Sequence, residues 1–108
     1  TKETKKIINK KTLKFFSKKS IIINSARGDM IDDDAMVEAL KDKRIFALGL
    51  DVYNGEPNIH PGYLEHSNVF ILPHLGSATE RTRVDMANLA INNIEEFFKN
   101  GTCINKVN

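Results

Sequence analysis

Three short apolar runs, residues 21–23, 46–50 and 69–72, are separated by segments whose apolar residues recur at helical spacing. A short run that is apolar at every position suits a strand of a parallel sheet covered on both faces. Before the first run, Asn9 can cap a short helix through Phe16, with Leu13 and Phe16 on its buried side. Between the first and second, Met36, Val37 and Leu40 form a helical stripe that Asp32 or Asp33 can cap. Lys41, Lys43 and Arg44 gather at its end, the favourable sign for the helix dipole. Pro73 stops the third run. Val84, Ala87, Ile91, Ile94 and Phe98 then predict a long helix from about Ala78 to Lys99, closed by Gly101. Alternation of this kind predicts an α/β fold with parallel strands and right-handed crossovers.

The chain has 108 residues, enough for one domain or part of one. With 41% hydrophobic residues it is too apolar for disorder, and no 18-residue apolar run could span a bilayer. One cysteine, Cys103, excludes an internal disulfide framework and fits a reducing compartment, so the expected location is the cytoplasm. Nothing around Cys103 argues for a reactive thiol. Residues 1–19 hold eight Lys and one Glu. Such a segment can attract nucleic acid. These lysines lack interleaved Arg and any recognisable nucleic-acid module, so a solvated lysine-rich face is favoured and no nucleic-acid or membrane partner is expected. The run Asp32-Asp33-Asp34 reads as helix capping, because no second cluster offers metal-ligand spacing.

In an open parallel sheet, ligands bind beyond the carboxyl ends of the strands. Each apolar run is followed there by ionisable residues: Arg27 after the first, Asp51 and then Glu56 after the second, His74 after the third. Arg can hold a carboxylate bidentately, His can move a proton near neutral pH, and a carboxylate can orient the His. Taken singly, each has an ordinary structural explanation: a surface ion pair, a cap, a solvated loop residue, a hydrogen-bonded core histidine. His60 and His66 flank a loop with no strand behind them and read as structural or solvated.

At these same strand ends the sequence resembles the D-isomer-specific 2-hydroxyacid dehydrogenase family. The strings are Ile23-Asn24-Ser25-Ala26-Arg27-Gly28, Gly49-Leu50-Asp51-Val52-Tyr53-Asn54-Gly55-Glu56-Pro57 and Leu72-Pro73-His74-Leu75-Gly76-Ser77-Ala78-Thr79. The stretch from Gly76 to Arg83 is most similar to the glyoxylate and hydroxypyruvate reductase branch. The resemblance implies hydride transfer between NAD or NADP and a small 2-oxo or 2-hydroxy acid. It implies that Arg27 grips the substrate carboxylate and 2-oxo oxygen, that His74 exchanges a proton with that oxygen, and that Glu56 pairs with His74 and favours the imidazolium. Ser25, Ala26 and Asp51 would hold the nicotinamide carboxamide, alongside Arg27 and His74. Gly76 would admit close approach of the backbone to the ligands.

The family's Gly-rich dinucleotide fingerprint and the position that selects NAD over NADP are absent. The expected fold is therefore the C-terminal half of a Rossmann-like doubly wound parallel sheet (residues 1–77), followed by a long C-terminal helix and tail (78–108) returning toward a substrate domain. On this view the chain is the C-terminal third of a longer, homodimeric enzyme and is inactive alone, and part of its last apolar stripe lacks a partner. A nicotinamide-sensing regulatory or corepressor-like protein on the same fold is the alternative from another class.

Overall fold

The computed structural model describes residues 2–107. The chain divides into two compact units, Thr1–Gly76 and Ser77–Asn108. In the first, strands β1 (Ile21–Asn24), β2 (Ala47–Leu50) and β3 (Val69–Ile71) form a parallel sheet in the order β1-β2-β3. Ile22 pairs with Leu48 and Leu48 with Val69, while Ile23, Gly49 and Phe70 form the adjacent row. Helix α1 (Asp33–Lys41) lies between β1 and β2 in sequence. The segment between β2 and β3 contains a 3₁₀ helix, Pro61–Glu65, that the apolar periodicity did not announce.

Among the described residues, one face of the sheet is covered. Ile22, Leu48 and Leu50 join Leu13, Met36, Leu40 and Tyr63 in the core. Ile21, Ile23 and Phe70, on the opposite pleat, stay exposed, Ile23 to 76%. Ile21, Ile22 and Ile23 are all apolar, but α1 and its neighbours bury only alternate positions of β1.

Asp32 is the cap of α1: its Oδ1 accepts from the Ala35 amide at 3.4 Å. Met36, Ala39 and Leu40 are its buried residues, with Val37 only partly buried. The helix expected from Asn9 to Phe16 is a single 3₁₀ turn, Thr12–Phe15. Asn9 Oδ1 accepts from the Lys11 and Thr12 amides, so the cap closes a local turn that ends at Phe16 in extended backbone. The basic segment is tied to α1, with Lys6 Nζ 3.0 Å from Asp32 and Lys10 Nζ 2.8 Å from Glu38. A parallel bridge between Ile8 and Ile31 holds the same segment at the entry to α1.

The second unit is built on helix α2 (Glu80–Asn100). It starts two residues later than the periodicity suggests because Thr79 is its cap, accepting from the Thr82 amide at 3.2 Å. Gly101 ends it in left-handed backbone, φ +70°. No residue of α2 is buried, and Leu89, Ile91, Ile94 and Phe98 are all exposed. Among the described residues no helix is long and apolar enough to cross a membrane.

Candidate active site

Because β1, β2 and β3 run parallel, the segments bearing Arg27, Asp51, Glu56 and His74 all leave the sheet from its carboxyl edge. Hydrogen bonds then join two of these segments directly. His74 Nδ1 lies 2.8 Å from Glu56 Oε2, and the other Glu56 oxygen accepts from the Tyr53 amide at 3.1 Å. The His74 bond, followed by the Tyr53 amide, holds the Glu56 carboxyl below the usual glutamate range. Glu56 is then an acceptor only at neutral pH, so the proton of this bond sits on Nδ1. Nε2 makes no hydrogen bond among the described residues, and the His74 side chain is 52% exposed. This nitrogen offers a lone pair when the ring is neutral and an N–H when it is charged.

His74 itself has φ +57°. Left-handed backbone costs about 1–2 kcal/mol for a residue with a Cβ. The turn is held by Asp51, whose two oxygens accept from the Leu75 amide at 2.6 Å and the Gly76 amide at 2.8 Å. A Cβ on Gly76 would lie 2.9 Å from Asp51 Oδ2, so a glycine is what admits the close approach. Asp51 was expected to serve the nicotinamide, and the structure places its carboxylate on the backbone that follows His74.

At the end of β1, Asn24 is 7% exposed. Its side chain accepts from the Ala26 amide at 3.1 Å and donates to the Arg27 carbonyl at 2.9 Å. No site role for Asn24 was legible from its motif, although an Asn at a strand end before a turn is a recognisable turn signal. The turn leaves Ser25, Ala26 and Arg27 exposed. Arg27 Nη1 donates to the Ala26 carbonyl at 2.6 Å. Among the described residues no carboxylate is within ion-pair distance of the guanidinium.

His60 takes the structural part expected of it, accepting from the Gly62 amide at 3.1 Å through Nδ1 and facing Asp34 at 3.3 Å through Nε2. Cys103 is a free thiol. Among the described residues no group of three or more His, Cys, Asp or Glu could hold a metal ion. A groove of about 330 Å³ lies along the outer edge of β1, with Ile7, Phe16, Ile23, Ser25 and Ala26 among its lining residues.

A family model described as "D-isomer specific 2-hydroxyacid dehydrogenase, NAD binding domain" matches residues 1–76. The chain is 43% identical over 98 residues to glycerate dehydrogenase of Hyphomicrobium methylovorum, covering 91% of this chain and 30% of that protein. It is 42% identical over 110 residues to glyoxylate reductase of Thermococcus kodakarensis, with 98% and 33% covered. Among solved structures, the NADPH-dependent glyoxylate/hydroxypyruvate reductase of Sinorhizobium meliloti, in complex with NADP and malonate, superposes with a TM-score of 0.94 at 36% identity. That match covers 99% of this chain and 34% of the other. The chain thus spans about a third of the length of the relatives it matches. With the match reaching across all three strands and every loop of the carboxyl edge, the chain belongs to the D-isomer-specific 2-hydroxyacid dehydrogenase family.

Proposed function

We propose that the protein is an oxidoreductase that reduces a small 2-oxo acid of the glyoxylate or hydroxypyruvate class to the D-2-hydroxy acid, using NADH or NADPH. The observation that carries this is the 2.8 Å contact between His74 Nδ1 and Glu56, which leaves Nε2 open on the same sheet edge as Arg27, whose guanidinium has no carboxylate partner among the described residues. Ser25 and Ala26, exposed in the turn after β1, would take the carboxamide of the nicotinamide in this reading. Each Asp51 oxygen accepts one backbone amide and keeps a lone pair for a further donor.

When bound, the cofactor supplies the hydride that becomes the C2 hydrogen of the product. Arg27 binds the substrate carboxylate, with a guanidinium whose planar fork matches it. His74 Nε2 delivers its proton to the 2-oxo oxygen as the C2=O bond becomes C2–O–H, and takes it back in the reverse direction. Glu56 keeps the ring oriented and offsets its positive charge. Residues 1–77 serve in this reading as half of the nucleotide-binding domain and 78–108 as the helix and tail leading to a substrate domain. The family match over residues 1–76 supports the first part. A homodimeric state and a cytoplasmic location belong to the same reading.

The test is a steady-state assay of the whole protein with glyoxylate and hydroxypyruvate against each reduced nicotinamide. Turnover is expected, with a loss of at least a hundredfold in kcat for His74→Ala at unchanged folding (roughly the lower range for general acid–base catalysis). Full turnover by the folded His74→Ala variant overturns the assignment.

A further inference from the structure

The loop that carries Glu56 is held from a second side by residues that the reaction does not use. Asn54 Nδ2 donates to Asp33 Oδ2 at 2.8 Å and to the Ile31 carbonyl at 3.2 Å. The other Asp33 oxygen accepts from Tyr63 Oη at 2.7 Å. Tyr63 is 1% exposed, and a buried phenol needs such an acceptor. Burial, with the Asp33 carboxylate adding to it, pushes the Tyr63 hydroxyl above its ordinary range, so it remains a donor. Asp33 therefore joins the first turn of α1, the 3₁₀ helix Pro61–Glu65 and the Glu56 loop. On the same side, the backbone of Gly28, next to Arg27, meets the peptide between Tyr53 and Asn54 with no room for a Cβ.

We propose that Asn54 is a positioning residue: by bridging Asp33 and the Ile31 carbonyl, it fixes the turn from Tyr53 to Glu56 against the segment that follows Arg27. The consequence, resting on the roles given above to His74 and Glu56, is that the carboxylate reaches Nδ1 in the geometry proton transfer requires. The chemistry of the residue suits the task. A carboxamide donates two N–H groups to two oxygens, and it adds no charge beside Asp33. An aspartate there would repel Asp33, and an alanine would leave both acceptors without this donor. Small displacements matter at such a site, since about 1 Å can remove a hundredfold in rate.

The experiment compares Asn54→Ala with the parent as the whole protein, and adds Asp33→Asn as a second variant. Two readouts are taken: the pH profile of kcat/KM for glyoxylate, and the titration of the Glu56 carboxyl followed by carbon NMR. Asn54→Ala is expected to lower kcat about tenfold with less than a twofold change in KM. The acid limb of the profile and the Glu56 midpoint should move up together, toward the ordinary glutamate value, and Asp33→Asn should move both the same way. A merely structural role would lower stability and leave the acid limb and the Glu56 titration where they are. That result overturns the proposal. If Asn54→Ala does not fold, the same two readouts on Asp33→Asn decide. Full turnover in Glu56→Gln would defeat the assignment of the histidine–glutamate pair, whereas a shifted Glu56 titration in Asn54→Ala would still uphold the positioning of the loop.

Discussion

Gly28 and Tyr53 are in backbone contact: the α-carbon of one faces the carbonyl carbon of the other, and any side chain at position 28 would overlap it. This contact joins the segment after Arg27 to the loop that ends at Glu56. It sets two backbone groups 25 positions apart in sequence against each other without a side chain between them.

Gly28→Ala is therefore expected to be strongly destabilising. Its obstruction is backbone, which cannot swing aside as the tip of a flexible side chain can. Loss of about 2–3 kcal/mol is expected, in the range for overpacked sites. Urea unfolding of the variant against the parent measures it, and equal midpoints with equal slopes would contradict the tight contact.

The bond between Glu56 and His74 also makes stability depend on pH. The folded-state value of the Glu56 carboxyl is lowered, first by the His74 bond and then by the Tyr53 amide. A lowered carboxyl contributes stability that is fully present above the unfolded value, about 4.3. It is lost as pH falls through the folded value. The parent should thus lose its advantage over Glu56→Gln only below about pH 4 to 5, a window set by that reference value. Unfolding midpoints of the two proteins across pH 3 to 7 test this, and a difference that stays constant over the whole range would rule the linkage out.

Asp32 has two partners, and two substitutions separate them. Asp32→Ala removes the cap on the Ala35 amide together with the Lys6 ion pair, and should destabilise by about 1 kcal/mol. Asp32→Asn keeps a capping oxygen and loses only the ion pair. Lys6 is 56% exposed, so that loss should be small beside the loss of the cap. Equal destabilisation by the two would show that the ion pair, rather than the cap, holds the start of α1.

Arg27→Lys tests the grip on the substrate. Lysine keeps the charge but cannot present two parallel N–H donors to a carboxylate. kcat/KM for glyoxylate is expected to fall at least tenfold, corresponding to about 1.4 kcal/mol of lost transition-state stabilisation. Unchanged kcat/KM would mean that the guanidinium acts only as a point charge.

Much of this architecture was written into the order of the side chains. The strands at 21–24, 47–50 and 69–71 coincide with the apolar runs, because β-branched and apolar side chains suit a pleated, half-buried surface. The long helix was equally plain from the spacing of Val84, Ala87, Ile91 and Ile94, and Thr79 and Gly101 bound it as capping rules require. Less legible was the 3₁₀ helix Pro61–Glu65, too short to carry a period, with Tyr63 the one residue it buries. The exposed face of Ile21, Ile23 and Phe70 could not be read either, since an apolar side chain does not state what covers it.

Residue types and their positions after the strands were determined by the sequence alone: an arginine, two carboxylates and a histidine at the ends of three apolar runs. Tertiary structure alone decided their partners. Parallel pairing brought the ends to one edge, Glu56 rather than Asp51 met the imidazole, and Asp51 went to the Leu75 and Gly76 amides. Asn24, Asp33 and Asn54 acquired their places in the same way. The physical reason is range. Burial and helical period act on neighbours a few positions apart, whereas a hydrogen bond acts at about 3 Å across any separation in sequence, and only folding sets that distance.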